Sequence, residues 1–189
     1  MVLLVTGLLG LAAAFALTVE KIALLQDPGY VPICSINALL SCTSVMTSPQ
    51  AEAFGFPNPL LGLIGFSVLT ATGAALLAGA RLRAWFWAGL QVGLTAAFVL
   101  VHWLIAQSVF DIGALCPYCL LVWAVTAPAF WYTTLRNLRA LVRSRPHRPL
   151  ERAVRALGEV LAVPLTIWYL TVLVVTAVGF WDEALSLTR

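Results

Sequence analysis

The sequence is short of charge. Eight acidic and eleven basic residues make up 10% of its 189 positions, where a soluble domain carries roughly 25%. A surface so poor in charge cannot face water on every side. Lysine occurs once, at Lys21, and histidine only at His102 and His147. The chain has no haem-ligation motif, no dinucleotide-binding glycine fingerprint and no iron–sulfur spacing, so it offers no site for those redox groups. Nor is there a zinc pattern. The first two of its four cysteines are separated by seven residues, and no histidine lies near any of them.

What the chain has instead is apolar length. Sixty-one per cent of it is hydrophobic, and its mean hydropathy is +0.96. A spanning helix needs about 20 mainly apolar residues. Five stretches qualify, at about 2–19, 60–79, 84–107, 115–135 and 158–180. The first lacks a basic leader and a clear small-x-small cleavage site, so it reads as a retained helix rather than a signal peptide. The expectation is a single all-α integral membrane domain over 1–189, with a long loop at 20–59.

Arginines orient it. Basic residues in short loops resist translocation, and nine of eleven fall on one side: Arg81 and Arg83, then Arg136, Arg139, Arg143, Arg145, Arg148, Arg152 and Arg155. The other side holds Lys21, Arg189 and six of the eight acids. The N-terminus is therefore expected in the cytoplasm, with 20–59, 108–114 and the C-terminus outside. The 136–155 stretch reads as a topology determinant, although lipid headgroups or nucleic acid would also suit its charge. Trp85, Phe86 and Trp87 read as an interfacial belt. Gly62 and Gly65 read as helix-packing positions.

The 20–59 loop exceeds the length that loops usually reach without a function, and it keeps Tyr30, Ile33, Leu39, Val45, Met46, Phe54 and Phe56. It is too apolar for disorder and is expected to form a lid over the bundle. Ser48-Pro49 is expected to start a short helix with Ser48 as N-cap, and Phe54, Phe56 and Leu60 could face the membrane interface.

All four cysteines map to this outer side. Cys34 and Cys42 lie in the lid. Cys116 and Cys119 form Cys-Pro-Tyr-Cys at the start of the fourth helix. Closing so short a loop stabilises little by chain entropy, yet the helix N-terminus favours a thiolate and Pro117 suits the first turn. Cys119 then lies one turn deeper than Cys116 on the same face. This spacing points to thiol–disulfide exchange, with structural bracing as the alternative for both pairs. Two dithiols suggest a relay in which a soluble dithiol reduces the lid pair and the lid pair reduces Cys116–Cys119. Spacing does not settle which lid cysteine meets the partner; the preferred order is Cys42 for the partner and Cys34 for Cys116. The electrons then need an acceptor soluble in lipid, and a quinone is the economical one. His102, inside the third helix, reads as a hydrogen bond to a neighbouring helix or as a quinone contact.

Taken together, Cys34-Ser-Ile-Asn-(x4)-Cys42, Ser48, Phe54-Gly-Phe-Pro-Asn58-(x3)-Gly62 and Cys116-Pro-Tyr-Cys119 resemble the vitamin K epoxide reductase family, in its bacterial branch, over about residues 1–135. DsbB-type oxidases also use two cysteine pairs, but place the C-x-x-C first. The resemblance implies a four-helix catalytic bundle capped by the lid, Cys116 and Cys119 as active-site pair, Cys34 and Cys42 as shuttle pair, and a quinone (menaquinone or ubiquinone) beside Cys119. Asn58 matches a quinone-contacting asparagine, and between two prolines it equally suits a turn. Ser48 matches a lid serine near the pocket. Trp123 stands where vertebrate members carry a tyrosine, which keeps stacking and removes the hydroxyl. Some relatives continue into a fused thioredoxin-like domain. Here the chain stops at Arg189, so the expected partner is a separate DsbA-like, thioredoxin-fold protein outside a bacterial inner membrane. The rivals are a vitamin K epoxide or quinone reductase, and a non-catalytic protein braced by disulfides.

Overall fold

The computed structural model describes residues 1–27, 29–144 and 162–181. Helix α1 spans Val2–Gln26. A short α2, Cys42–Thr47, and a 3-10 turn, Pro49–Glu52, lie in the loop that follows. Then come α3 (Pro59–Leu77), α4 (Ala84–Gln107, prolonged by a π-helical turn over Ser108–Ile112), α5 (Pro117–Ser144) and α6 (Ala162–Gly179). Five of these are long and apolar enough to cross a membrane, and no strand occurs among the described residues. The arginines and prolines of 145–155, the expected start of the last helix at 158, and the C-terminal acids lie outside the described residues.

Two helices outrun their hydropathy. α1 was expected to end at about residue 19 and continues to Gln26. Glu20 and Lys21 stay helical because each finds a partner in the lid: Tyr30 Oη donates to Glu20 Oε2 (2.9 Å), and Lys21 Nζ donates to Met46 O (2.7 Å) and pairs with Glu52 Oε1 (3.0 Å). α5 was expected to end near residue 135 and runs on to Ser144, since arginine is a good helix former once the helix has left the apolar layer.

α1 packs along both α3 and α5, and α4 packs on α5. The α1–α3 seam is close because it lacks side chains. A Cβ on Gly7 would sit 2.6 Å from Thr70 N, and one on Gly73 would sit 2.5 Å from Leu4 N. Such small-residue seams let backbones approach where no hydrophobic drive exists between helices. Gly62 belongs to this seam, its Cβ position 2.9 Å from Ala14 Cβ; Gly65 instead faces open space. α3 and α4 scarcely touch, and a cavity separates them.

α6 stands outside this four-helix bundle with no buried residue along its length. His102 ties it on. Its Nδ1 donates to Phe98 O (2.7 Å), leaving Nε2 to accept from Trp168 Nε1 (2.9 Å). This is the interhelix bond expected of a histidine in a spanning segment. The aromatic belt divides: Trp85 is exposed, whereas Trp87 is buried beneath Arg136, whose guanidinium carbon lies 3.7 Å from the ring centroid.

Candidate active site

The site is assembled where the lid meets the first turn of α5. Pro117 opens that helix, and Cys116 just before it accepts the first helical hydrogen bond, from Leu120 N (3.0 Å). Ahead of it, the π-helical turn ends at Gly113, whose φ of 68° reverses the chain without steric cost. The strand-like residues that follow are stitched to the lid. Leu115 N donates to Leu39 O (2.8 Å), and Ser41 N donates to Leu115 O (3.0 Å). Cys42 and Cys116 come next in the chain after Ser41 and Leu115, the two partners of the second bond.

The bridge sets the sulfurs. Cys34 and Cys42 form a disulfide with Cα atoms 5.6 Å apart, while Cys116 and Cys119 are free thiols. Cys42 Sγ lies 3.0 Å from Cys116 Sγ. This favours the other order within the lid pair: Cys42, fully buried, faces Cys116, and Cys34, also buried at 6% exposure, keeps what little surface the pair has. The reason is local. Ser41 caps α2 by accepting from Ser44 N, which fixes Cys42 as the first residue of a helix aimed at the bundle. Cys116 lies just outside the spanning helix. The Cys119 thiol and the backbone N–H groups of Cys119 and Tyr118 hold its thiol below the ordinary cysteine range, against burial, which acts the other way.

Behind Cys119 the cavity opens. It holds about 780 Å³ and runs beneath the lid between α3 and α4. Cys119 and Trp123, one turn apart on α5, line one wall; Gly65, Gly89 and Gly93 line it with no side chain at all. Phe54 and Phe56, with ring centroids 6.3 Å apart, stand at its outer edge and remain exposed. A cavity of this size, mostly apolar with a few polar groups, suits a flat apolar ligand.

The remaining expected site residues take definite places. Ser48 lines the cavity and stands at the N-cap position its sequence suggested, but its side chain makes no capping bond. Its Oγ donates backwards to Val45 O (2.8 Å), ending α2, while Pro49 does begin a turn, of 3-10 rather than α form. Asn58 also lines the cavity. Its amide is held by the lid backbone, Nδ2 donating to Gln50 O (2.7 Å) and Oδ1 accepting from Ala53 N (3.2 Å). Gln50 in turn reaches Gln107 at the end of α4 and Asp111 in the π-helical turn that follows. Asp27 acts locally, accepting from Gly29 N (2.9 Å). Sequence reasoning missed Lys21, Gln50 and Ser108, all of which line the cavity. A lone lysine two residues past an apolar run was the only signal for the first.

The model of the vitamin K epoxide reductase family matches residues 1–134. This covers all four cysteines, the lid and the cavity, and leaves out α6. No curated protein matches the chain.

Proposed function

Because the chain belongs to the vitamin K epoxide reductase family, and is thus a multi-pass membrane thiol oxidoreductase with a redox-active cysteine pair, we propose that it oxidises an external dithiol protein at the expense of a quinone. The partner is a DsbA-like protein of thioredoxin fold, so the output is disulfide formation in exported proteins. The lid faces the outside of a bacterial inner membrane. Arg81, Arg83, Arg136, Arg139 and Arg143 all belong to the opposite end of the bundle, as the positive-inside rule requires.

The observation that carries this reading is the 3.0 Å approach of Cys42 Sγ to Cys116 Sγ, with Cys119 one turn deeper on the cavity wall. A partner thiolate attacks Cys34, breaking the lid disulfide and releasing the Cys42 thiolate. The partner's second thiol then closes the partner disulfide, leaving Cys34 reduced. Cys42 attacks Cys116 in a Cys116–Cys119 disulfide and expels the Cys119 thiolate. Cys34 then attacks Cys42, restoring the lid disulfide and leaving Cys116 and Cys119 as a dithiol. The sulfurs as found, lid pair bonded and inner pair free, correspond to this last point. A quinone accepts the two electrons of the inner pair. The chain's share is to present Cys119 to an apolar chamber and to screen it from water with the lid. Val31, Ile33 and Ile36, exposed around Cys34, give an apolar landing surface for the partner.

The test uses the purified full chain in detergent, a reduced thioredoxin-fold protein and a short-chain ubiquinone or menadione. Loss of quinone absorbance matched by disulfide in the donor is expected. Donor oxidation that proceeds equally well without quinone would sink the reading.

A further inference from the structure

We propose that the Ser108 hydroxyl, together with the Trp123 indole N–H, donates the hydrogen bonds that receive a quinone carbonyl in the cavity; this rests on the quinone reading above and names the polar contacts within it.

Buried polar groups nearly always have partners, so those without one in a cavity wall mark where a ligand completes them. Of the buried polar side chains lining the cavity, Lys21 is held by Met46 O and Glu52, and Thr126 Oγ1 donates to Val122 O (2.7 Å). Asn58, less buried, has a backbone partner on each amide atom. Ser108 and Trp123 differ. They are 4% and 3% exposed, and neither side chain has a hydrogen-bond partner among the described residues. Nor are they sealed in. The enclosed, unpartnered side-chain atoms among the described residues are Trp131 Nε1 and Thr133 Oγ1, so Ser108 Oγ and Trp123 Nε1 keep open surface, and both residues line the cavity.

The backbone explains why this serine is free. Thr70, Thr72 and Thr126 turn their hydroxyls back to the carbonyl four residues earlier, the common habit in spanning helices. Ser108 begins the π-helical turn, where its N–H is shared between Leu104 O and Ile105 O, and its hydroxyl makes no such bond. Single π turns recur at functional sites for this kind of reason. Ile105 and Val109, which bracket Ser108 on α4, pack in one cluster with Trp123 and Cys119. The two donors therefore stand on two walls of the same chamber as the inner thiol.

The chemistry needs such donors. Oxidation of the Cys116 and Cys119 thiols forms one S–S bond, breaks two S–H bonds and releases two electrons and two protons. Both electrons reduce the quinone to a quinol, whose oxygens take up the protons. Donors already aimed at a carbonyl oxygen stabilise the negative charge that grows there. Trp123 Nε1 thus supplies the polar contact that the lost tyrosine hydroxyl seemed to remove.

Menadione labelled with ¹³C at its carbonyls is the probe, bound to the purified full chain and read by infrared difference spectroscopy and equilibrium dialysis. In the wild-type protein the carbonyl stretch falls below its value in detergent alone. In Ser108→Ala it moves back up and binding weakens roughly fivefold, the scale of one neutral hydrogen bond. Ser108→Thr keeps the wild-type stretch, and Trp123→Phe gives a partial upward shift. Normal lid exchange in Ser108→Ala, followed through the Cys42–Cys116 crosslink in a Cys119→Ala background, shows that the fold is intact. A stretch that Ser108→Ala leaves unchanged, or a wild-type stretch equal to that in detergent, overturns the proposal. A shifted stretch lost in Ser108→Ala, in a protein that never passes electrons from a dithiol to menadione, upholds the donors and overturns the oxidase reading. Absence of menadione binding to the wild type overturns both.

Discussion

The ammonium of Lys21 lies 3.0 Å from the carboxylate of Glu52, with the lysine side chain 9% exposed and the glutamate 42% exposed. This pair, with the bond from Lys21 to Met46 O, fastens the far end of the short helix that begins with Cys42. Lys21→Met should therefore loosen the lid rather than the bundle. The expected cost is about 1–3 kcal/mol, the worth of hydrogen bonds to a charged group, and it is confined to the lid. Hydrogen exchange would show faster exchange across 42–52 with α3 and α4 unchanged. Lys21→Arg should recover part of the protection. Equal loss of protection throughout the bundle would contradict a local latch.

Cys119→Ala should trap a crosslink between Cys42 and Cys116. With Cys119 removed, Cys116 has only the lid disulfide to attack, and Cys42 Sγ is the sulfur 3.0 Å away. Non-reducing digestion and mass spectrometry should recover peptides joined through Cys42 and Cys116, with Cys34 free to alkylate. Peptides joined through Cys34 and Cys116 would restore the order first read from the sequence. Only Cys34–Cys42 would end the relay.

The depressed Cys116 thiol predicts a pH profile. A thiol whose pKa is lowered carries its negative charge at lower pH than a free cysteine, so thiolate should appear earlier in a rising titration than in an unstructured peptide. In a Cys34→Ser, Cys42→Ser protein, thiolate absorbance near 240 nm should rise with such an early midpoint. Adding Cys119→Ala removes the largest stabilising contact and should move the midpoint upward. A midpoint indifferent to Cys119 would show that the thiol bond does not act.

His102→Leu should loosen α6, which Tyr169 Oη still ties to Ala124 O, while sparing the chemistry. The bond to Trp168 Nε1 is the kind that contributes roughly 0.6–1.7 kcal/mol within a membrane. Thermal unfolding in detergent should shift by that modest amount, and the KM for quinone should stay unchanged. A large rise in KM would place His102 in the quinone site after all.

Much of this was legible in the sequence, for identifiable reasons. Apolar length located all five spanning helices, because the bilayer imposes one requirement on each. Their ends were less legible, since Glu20 and Lys21 look like a helix terminus until Tyr30, Met46 and Glu52 are seen to meet them. The C-x-x-C spacing announced the inner pair. The order within the lid pair was hidden, because it depends on a bridge between Leu40 and Leu115 that spacing cannot reveal. Ser108 was hidden for another reason: hydropathy ends α4 at Gln107 and gives no sign that the next turn is π-helical.

The gap between α3 and α4 has a consequence for traffic. Gly65, Gly89 and Gly93 leave its walls bare and Cys119 lines it, while Cys116 is 1% exposed and packed with the lid cysteines. In the proposed reaction, an oxidant dissolved in lipid and a reductant dissolved in water would thus approach through separate doors and never share a solvent. Under the proposed function, electrons would cross from one phase to the other only as bonds exchanged among four sulfur atoms, and the protein would work as an insulated conductor between two immiscible reservoirs.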